Sequence, residues 1–291
     1  MTDRRLTGGR SGRETAPVRY CARVEYDGTD YVGFQVQPGA RTVQGELEAA
    51  LARISGERRI RVVAAGRTDA GVHATDQVIA FTDPRGRPAE ELARALDALL
   101  PVDVAVRSLR RVPAGFNPRY AARYREYRYT IWNGPRSPLR ERQALGVRDQ
   151  LNIAAMARAA SVLEGRHDFS AFGAAHRQPV RTVHRVRVRR QGQLVTIDVA
   201  GDAFLRQMVR RIVAALVEVG HGRTTEEAVA EALESRRPAF NGATAPAKGL
   251  CLRRVAMGPM RPRPEQSRRP AAGERPPDRT ENDDREDIYG P

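Results

Sequence analysis

The chain has 291 residues and carries 50 Lys plus Arg against 35 Asp plus Glu, a formal net charge of +15, which is typical of proteins that bind nucleic acid. Its two cysteines, and the lack of C-x-x-C or H-E-x-x-H spacing, weigh against a disulfide scaffold and against a zinc site. No apolar run is long enough to cross a membrane and the N-terminus lacks an apolar signal core, so a cytoplasmic protein is expected.

The basic residues are concentrated in the body of the chain. All but one of the 50 are arginine, the side chain that forks onto phosphates and stacks on bases, although a biased genome could produce the same preference. Residues 261–291 contain seven Arg and eight Asp or Glu, so they contribute −1 and residues 1–260 carry +16. We therefore expect the folded body to be the basic part.

Both ends of the chain have the composition of disordered segments. Residues 1–17 are polar and rich in Gly and Arg, and residues 261–291 alternate proline with charged residues. Neither segment has enough apolar content to form a core. We predict a folded body with an N-terminal half over residues 18–112 and a C-terminal half over residues 113–260.

The N-terminal half alternates strand and helix patterns. Thr42 can cap a helix in which Val43, Leu47, Ala50, Leu51 and Ile54 share one face. A second helix is predicted over residues 89–100, where Pro101 ends it. Strands are predicted over residues 18–26, 60–65, 77–81 and 102–109.

The C-terminal half repeats this alternation. Helices are predicted over residues 153–163, 204–219 and 226–234. The second of these has an apolar side formed by Phe204, Met208, Ile212, Leu216 and Val219. Strands are predicted over residues 124–132, 183–188, 194–199 and 250–255, the middle two as a hairpin around Gln191-Gly192.

This order of elements predicts an α+β fold. Two similar β-α-β-β-α-β-like halves would each form an open, antiparallel-rich sheet backed by helices. A catalytic cleft is expected where the two halves meet.

The stretch over residues 66–81 reads G-R-T-D-A-G-V-H-A-T-D-Q-V-I-A-F. It places Asp69 in a glycine-flanked loop with Arg67 two residues before it, followed by an apolar strand pattern. Loops that rigid elements hold in place often carry chemistry. Taken alone, the stretch favours Asp69 as an ordinary turn residue, because Asp and Gly dominate turns for local reasons.

Further blocks follow one another along the body. They are Y-D-G-T at 26–29, G-F-Q at 33–35, T-V-Q at 42–44, G-R-T-D-A-G-V-H-A at 66–74, Y-R-Y-T-I-W-N at 127–133, H-D-F at 167–169, F-L-R-Q-M-V-R at 204–210 and A-P-A-K-G-L at 245–250. In this order and spacing, over about residues 18–258, the chain resembles the TruA-type tRNA pseudouridine synthases. Cys251 and Met257 depart from the aromatic or branched residues frequent in that family, and we interpret them as packing changes.

The resemblance implies an isomerase that converts uridine to pseudouridine at positions 38, 39 and 40 in the anticodon stem-loop of tRNA. It implies a homodimer that holds one tRNA across both subunits, and neither a cofactor nor a metal ion. The reaction requires a carboxylate, a flipped-out base and a pocket for the detached base. Asp69 takes the place of the family's catalytic aspartate. Whether it attacks the sugar or the base, or only stabilises a charged sugar, stays open.

The resemblance also implies partners for the substrate. Arg67 would reach toward the space vacated by the flipped nucleotide, although it could be a solvated turn arginine. Tyr127 would lie over the target uracil, although packing is the commoner role of a tyrosine in an alternating strand. Leu250 would pack against the base, although an ordinary core leucine fits the sequence equally well.

Two arginines of the 204–210 block complete the implied site. Arg206 and Arg210 are four residues apart on one predicted helix, so they repel each other unless an anion lies near. The resemblance pairs Arg210 with Asp69, where a cation would keep the carboxylate ionised in an enclosed site, and Arg206 is assigned to substrate binding. A solvated helix face is the alternative. His73 and His167 are interpreted as structural residues.

Two functions from other classes compete with this assignment. A non-catalytic protein that binds structured RNA would share the basic body, and the G-R-T-D block together with Tyr127 and Arg210 favours the enzyme over it. A methyltransferase or another cofactor enzyme is disfavoured, because no G-x-G-x-x-G loop follows a predicted strand.

Overall fold

The computed structural model describes residues 16–238 and 243–258. The predicted disordered segments, residues 1–17 and 261–291, fall outside the described residues except for Ala16 and Pro17. The division into halves at residue 112 also stays a prediction. None of the described helices is long and apolar enough to cross a membrane.

The described residues form ten strands that join into one sheet. The strands are β1 (Val18–Tyr26), β2 (Val63–Ala64), β3 (His73–Asp83), β4 (Val104–Arg111), β5 (Ala122–Asn133), β6 (Leu145–Val147), β7 (Gly165–Asp168), β8 (Val180–Gln191), β9 (Leu194–Gly201) and β10 (Leu250–Met257). Their order is β4-β1-β3-β10-β5-β9-β8-β7, with β2 beside β3 and β6 beside β5. The β3–β10 and β5–β6 pairs are parallel, and the other pairs are antiparallel.

Six α-helices are formed by the described residues. They are α1 (Val43–Ser55), α2 (Ala89–Leu99), α3 (Pro118–Ala121), α4 (Ile153–Val162), α5 (Met208–Gly220) and α6 (Glu226–Ser235). Thr42 caps α1 as predicted, because its side chain accepts the Gly45 N–H. Helix α2 packs on β4, α4 packs on β8, and α4 also contacts α5 and α6.

The α+β class and the mostly antiparallel sheet backed by helices are confirmed, but the expectation of two separate sheets is wrong. The last strand, β10, lies between β3 and β5 in the sheet. It pairs parallel with β3, where Cys251 faces His73, and antiparallel with β5, where Leu250 faces Tyr129. The hydrogen bonds of this strand join the strands around β3 and those around β5 into a single sheet.

Two elements differ from the sequence-based prediction in ways that affect the site. The strand predicted over residues 60–65 shortens to β2, because the Val62 N–H donates to the buried carboxylate of Glu48 (3.0 Å) instead of to a strand. The helix predicted from Phe204 begins only at Met208, because Gln207 has a left-handed backbone (φ 62°). Arg206 therefore lies in a loop before α5 and not on the helix with Arg210.

Alternation along β5 directs one set of side chains toward the helices. Tyr127, Tyr129 and Ile131 are buried, while Arg128 and Thr130 between them are only half-buried. The buried set belongs to one hydrophobic core whose members range from Tyr20 to Val255 along the chain. This strand therefore presents Tyr127 on the helix-covered side of the sheet, at the middle of the molecule.

Candidate active site

Asp69 lies in a tight loop between β2 and β3 that is hydrogen-bonded to the loop containing Tyr31 and Phe34. The Val72 N–H donates to the Asp69 carbonyl (3.2 Å), and the Gly71 N–H donates to the Tyr31 carbonyl (3.2 Å). The Phe34 N–H in turn donates to the Thr68 carbonyl (3.1 Å). The backbone around Asp69 is thereby held on both sides.

Glycines allow these two loops to touch. A Cβ on Gly28 would lie 2.1 Å from the Val72 carbonyl oxygen, and Gly33 has a φ of +89° with the Thr68 carbonyl 3.0 Å from its Cβ position. Neither approach is open to a residue with a side chain. The Y-D-G-T and G-F-Q blocks therefore serve to support the Asp69 loop.

Arg210 is the cationic partner of Asp69. Its Nη1 lies 3.7 Å from Asp69 Oδ2, an ion pair too long to be a hydrogen bond. The Arg210 Nε–H donates to the Ala245 carbonyl (2.7 Å), and the Ala245 N–H donates to the Arg210 carbonyl (3.1 Å). These bonds hold the guanidinium, whose side chain is 17% exposed, against a carboxylate that is 34% exposed.

A cleft of about 640 Å³ brings together every predicted site residue. Its lining comes from residues 34–72 and 119–250, and it includes Arg67, Asp69, Tyr127, Arg206, Arg210 and Leu250. Asp69 supplies the only carboxylate among the described residues that line it. The lining also contains seven arginines: Arg61, Arg67, Arg119, Arg125, Arg181, Arg206 and Arg210. One carboxylate thus lies in a strongly cationic cleft.

Apolar and aromatic groups line the cleft beside Asp69. Tyr127 is 8% exposed and Leu250 is 5% exposed. The Tyr127 ring packs edge-on against Phe204, with 5.3 Å between the ring centroids. Burial raises the pKa of Tyr127 to about 12, so the phenol is neutral at physiological pH. Arg67 and Arg206 are exposed.

Comparison with known proteins identifies the family. The sequence matches the family described as tRNA pseudouridine synthase over residues 22–121 and 159–256. The chain belongs to this family.

The alignments with curated relatives cover nearly the full length of those relatives. The chain is 48% identical over 236 residues to tRNA pseudouridine synthase A of Geobacter sulfurreducens, covering 80% of this chain and 96% of that protein. It is 45% identical over 237 residues to tRNA pseudouridine synthase A of Pelobacter propionicus, covering 80% and 97%. Membership of this family identifies the synthase as an RNA-modifying isomerase that acts on tRNA.

Similarity to solved structures is weaker. The synthase aligns with a crystal structure of a Cbf5-Nop10-Gar1 complex at 14% identity and a TM-score of 0.31, covering 82% of this chain and 49% of that one. A TM-score this low supports no comparison of the two folds.

Arg125 is a residue of the synthase cleft that the sequence-based assignment missed. Its Nη1 donates to the Asp202 carbonyl and its Nη2 to the Ala65 carbonyl, both at 2.6 Å. One guanidinium therefore bridges the two walls of the cleft, and burial lowers its pKa. The signal in the sequence was its position two residues before Tyr127, on the same face of β5.

The two histidines lie in structural positions in the synthase. The buried His73 accepts the Gly28 N–H at Nδ1 (3.1 Å), and its Nε2 lies 3.0 Å from the Arg142 carbonyl and 3.1 Å from the Lys248 carbonyl. It joins three segments of the chain and is outside the cleft lining. His167 Nε2 lies 2.8 Å from the Glu164 carbonyl. Neither group faces Asp69.

Metal ligands do not converge in the described part of the synthase. Within residues 16–238 and 243–258, no group of three or more His, Cys, Asp or Glu side chains is placed to hold a metal ion. The absence of a metal and of a cofactor from the reaction stays a prediction.

Proposed function

We propose that this synthase isomerises uridine to pseudouridine at positions 38, 39 and 40 in the anticodon stem-loop of tRNA, with Asp69 as the nucleophile. The observation that carries the proposal is the Asp69–Arg210 ion pair in a cleft whose other charged lining groups are arginines. The stem-loop positions are supported by the resemblance of the ordered sequence blocks to the TruA-type enzymes.

The reaction is balanced without an oxidant or a reductant. The bond between the ribose C1′ and N1 of uracil breaks, and the detached base turns within the pocket. A bond then forms between C1′ and C5, while the proton leaves C5 and N1 gains one. A carboxylate that adds to the substrate and leaves again is regenerated at the end, so Asp69 serves as a catalyst.

The Asp69–Arg210 pair suits this role. The cationic guanidinium of Arg210, 3.7 Å from the Asp69 carboxylate, balances its negative charge in the cleft. Because the Ala245 carbonyl also holds the guanidinium, Arg210 does not need to reorganise when the substrate enters.

The remaining predicted residues surround the flipped nucleotide in this proposal. The neutral ring of Tyr127 offers a face for stacking on uracil, and Leu250 supplies an apolar contact to the same base. Arg67 is exposed two residues before Asp69, where it can fill the space that the flipped nucleotide leaves in the stem-loop. Arg206, in the loop before α5, contacts a phosphate.

The arginines at the rim support binding of a folded RNA. Arg61, Arg119 and Arg181 line the cleft around the site, where they can neutralise several phosphates of a stem-loop. We further propose a homodimer that holds one tRNA across both subunits in the cytoplasm. The resemblance to the TruA-type enzymes supports the dimer, and the tRNA substrate supports the location.

Tritium release tests the proposed activity. The purified protein is incubated, without added metal or cofactor, with a tRNA transcript that carries [5-³H]uridine, because formation of the C1′–C5 bond releases the label from C5. Released tritium and pseudouridine mapped to positions 38, 39 and 40 are the expected result. A transcript with cytidine at these three positions is the control.

Other outcomes separate the alternatives. Pseudouridine at different positions would refute the stem-loop assignment and keep the activity. Tight binding of tRNA with no pseudouridine would refute the enzyme and favour a non-catalytic protein that binds structured RNA.

A further inference from the structure

A cluster of buried polar side chains lies beneath the Asp69 loop and is not used by the chemistry described above. It consists of Tyr26 at the end of β1, Thr68 in the loop and Gln77 in β3, which are 3%, 7% and 0% exposed. Polar groups this deeply buried are costly unless they are hydrogen-bonded. Their partners therefore indicate what the cluster holds in place.

Two contacts of the cluster lead to the loop that carries Asp69. The Tyr26 hydroxyl lies 2.8 Å from Thr68 Oγ1. The Gln77 Nε2 donates to the Gly66 carbonyl (2.9 Å) and lies 3.5 Å from the Tyr26 hydroxyl. The cluster thus holds the loop at Gly66 and at Thr68, on both sides of Arg67 and directly before Asp69.

The sheet does not hold this segment by itself. Strand β2 ends at Ala64 and β3 begins at His73. The pairing with β3 continues one residue into the loop, where the Ala65 N–H donates to the Val78 carbonyl (2.8 Å), and residues 66–72 belong to neither strand. The Thr68 carbonyl accepts the Phe34 N–H. The Tyr26 hydroxyl contacts the Thr68 side chain, and Gln77 donates to the Gly66 carbonyl. Burial also raises the pKa of Tyr26, so its hydroxyl keeps its proton for hydrogen bonding at physiological pH.

We propose that Tyr26, Thr68 and Gln77 position the Asp69 carboxylate against the reacting carbon, so that loss of their hydrogen bonds slows isomerisation without weakening tRNA binding. The proposal rests on the proposed function of Asp69. A displacement of about 1 Å at a reacting group can cost on the order of a hundredfold in rate. Tyr26 and Gln77 lie outside the cleft lining, and Thr68 lines the cleft but is only 7% exposed. All three therefore act on Asp69 through the loop, as positioning residues.

A matched control separates positioning from simple stabilisation. Tyr20 lies on the same strand as Tyr26 and is 0% exposed. The Tyr20 hydroxyl donates to the Arg87 carbonyl. Neither Tyr20 nor Tyr26 lines the cleft. Tyr20→Phe and Tyr26→Phe thus each remove one buried hydroxyl from β1, but only the second loses a contact to the Asp69 loop.

The experiment compares Tyr20→Phe, Tyr26→Phe, Thr68→Val and Thr68→Ser in the full-length chain. Single-turnover rates of tritium release are measured with enzyme in excess, together with the tRNA Kd and the Tm. We expect Tyr26→Phe and Thr68→Val to lower the rate by about tenfold to a hundredfold with an unchanged Kd. Thr68→Ser keeps the hydroxyl and should restore the rate to within about threefold of wild type.

The Tyr20→Phe variant should lower the Tm by about as much as Tyr26→Phe and keep the wild-type rate. Equal rates for Tyr20→Phe and Tyr26→Phe would overturn the proposal and leave the cluster a stabilising feature of the fold. A wild-type protein that releases no tritium would instead refute the proposed function, and with it this inference, so the two failures are distinguishable.

Discussion

Arg210 contacts Asp69 through one edge of its guanidinium and the backbone of Ala245 through another. Nη1 lies 3.7 Å from Asp69 Oδ2, while Nε donates to the Ala245 carbonyl at 2.7 Å. Arg210 lies in the first turn of α5, where the helix dipole adds positive potential beside the carboxylate. A cation fixed in this way differs from the exposed Arg61 and Arg119 at the rim.

Arg210→Ala should therefore lower turnover more than affinity. Loss of the fixed cation should reduce the single-turnover rate on the order of a hundredfold, while the other cleft arginines keep the tRNA Kd within a few-fold of wild type. Arg206→Ala is the matched control, because Arg206 is exposed in the loop before α5 and should act mainly on Kd. Normal turnover with weakened binding in Arg210→Ala would place it among the phosphate contacts instead.

Asp69 variants should lose pseudouridine formation and keep the fold. Asp69→Asn preserves the shape but removes the charge, Asp69→Ala removes the side chain, and Asp69→Glu displaces the carboxylate by about 1 Å, enough to cost on the order of a hundredfold. The side chain is 34% exposed, so its loss should cost little stability. Circular dichroism, Tm and tRNA Kd should stay close to wild type in all three. Appreciable turnover by Asp69→Asn would rule Asp69 out as the essential carboxylate.

Binding of tRNA should depend strongly on salt. Each phosphate contact adds about 0.9 to the slope of log affinity against log salt on duplex nucleic acid, and seven arginines line the cleft. Filter binding between about 50 and 200 mM salt measures the slope. In this interval, proteins with several phosphate contacts lose on the order of a thousandfold or more in affinity. Arg61→Ala should reduce the magnitude of that slope by about 0.9, the contribution of one phosphate contact. A flat profile would show that phosphate contacts do not carry the complex.

Arg125→Met should impair both stability and turnover. The variant keeps much of the side-chain bulk but loses the hydrogen bonds to Ala65 and Asp202 that join the cleft walls, so two partly buried carbonyls lose a partner and the folded state is destabilised. A Tm lower by several degrees and a slower single turnover are expected. Arg123→Met, an exposed residue of the same strand, is the control and should match wild type in both measurements.

Truncation tests the prediction for the C-terminal tail, which lies outside the described residues. A chain that ends at Met260 loses residues with a net charge of −1 and little apolar content, so it should keep its turnover and its Tm. Both are measured beside the full-length protein. A large loss of either would show that the tail contributes to the folded body.

Local signals in the sequence were enough for most elements. The strand pattern over Val18–Tyr26 and the helix capped by Thr42 coincide with β1 and α1, because alternation, helical periodicity and capping are read from neighbouring residues. The glycine-flanked Asp69 loop was also visible. Its chemistry, by contrast, came from resemblance to a family, since an isolated aspartate in a glycine-flanked turn gives no evidence of function.

Contacts between distant segments were decided only by the tertiary structure. The sequence contained no indication that β10 would pair with both β3 and β5, and so it predicted two sheets where one exists. The left-handed backbone of Gln207 removed Arg206 from the helix of Arg210, and the two carbonyls bridged by Arg125 lie far apart along the chain. Pairing partners and loop geometry depend on packing between segments that local patterns do not encode, whereas the composition, the caps and the periodicity that determine each element are properties of the sequence itself.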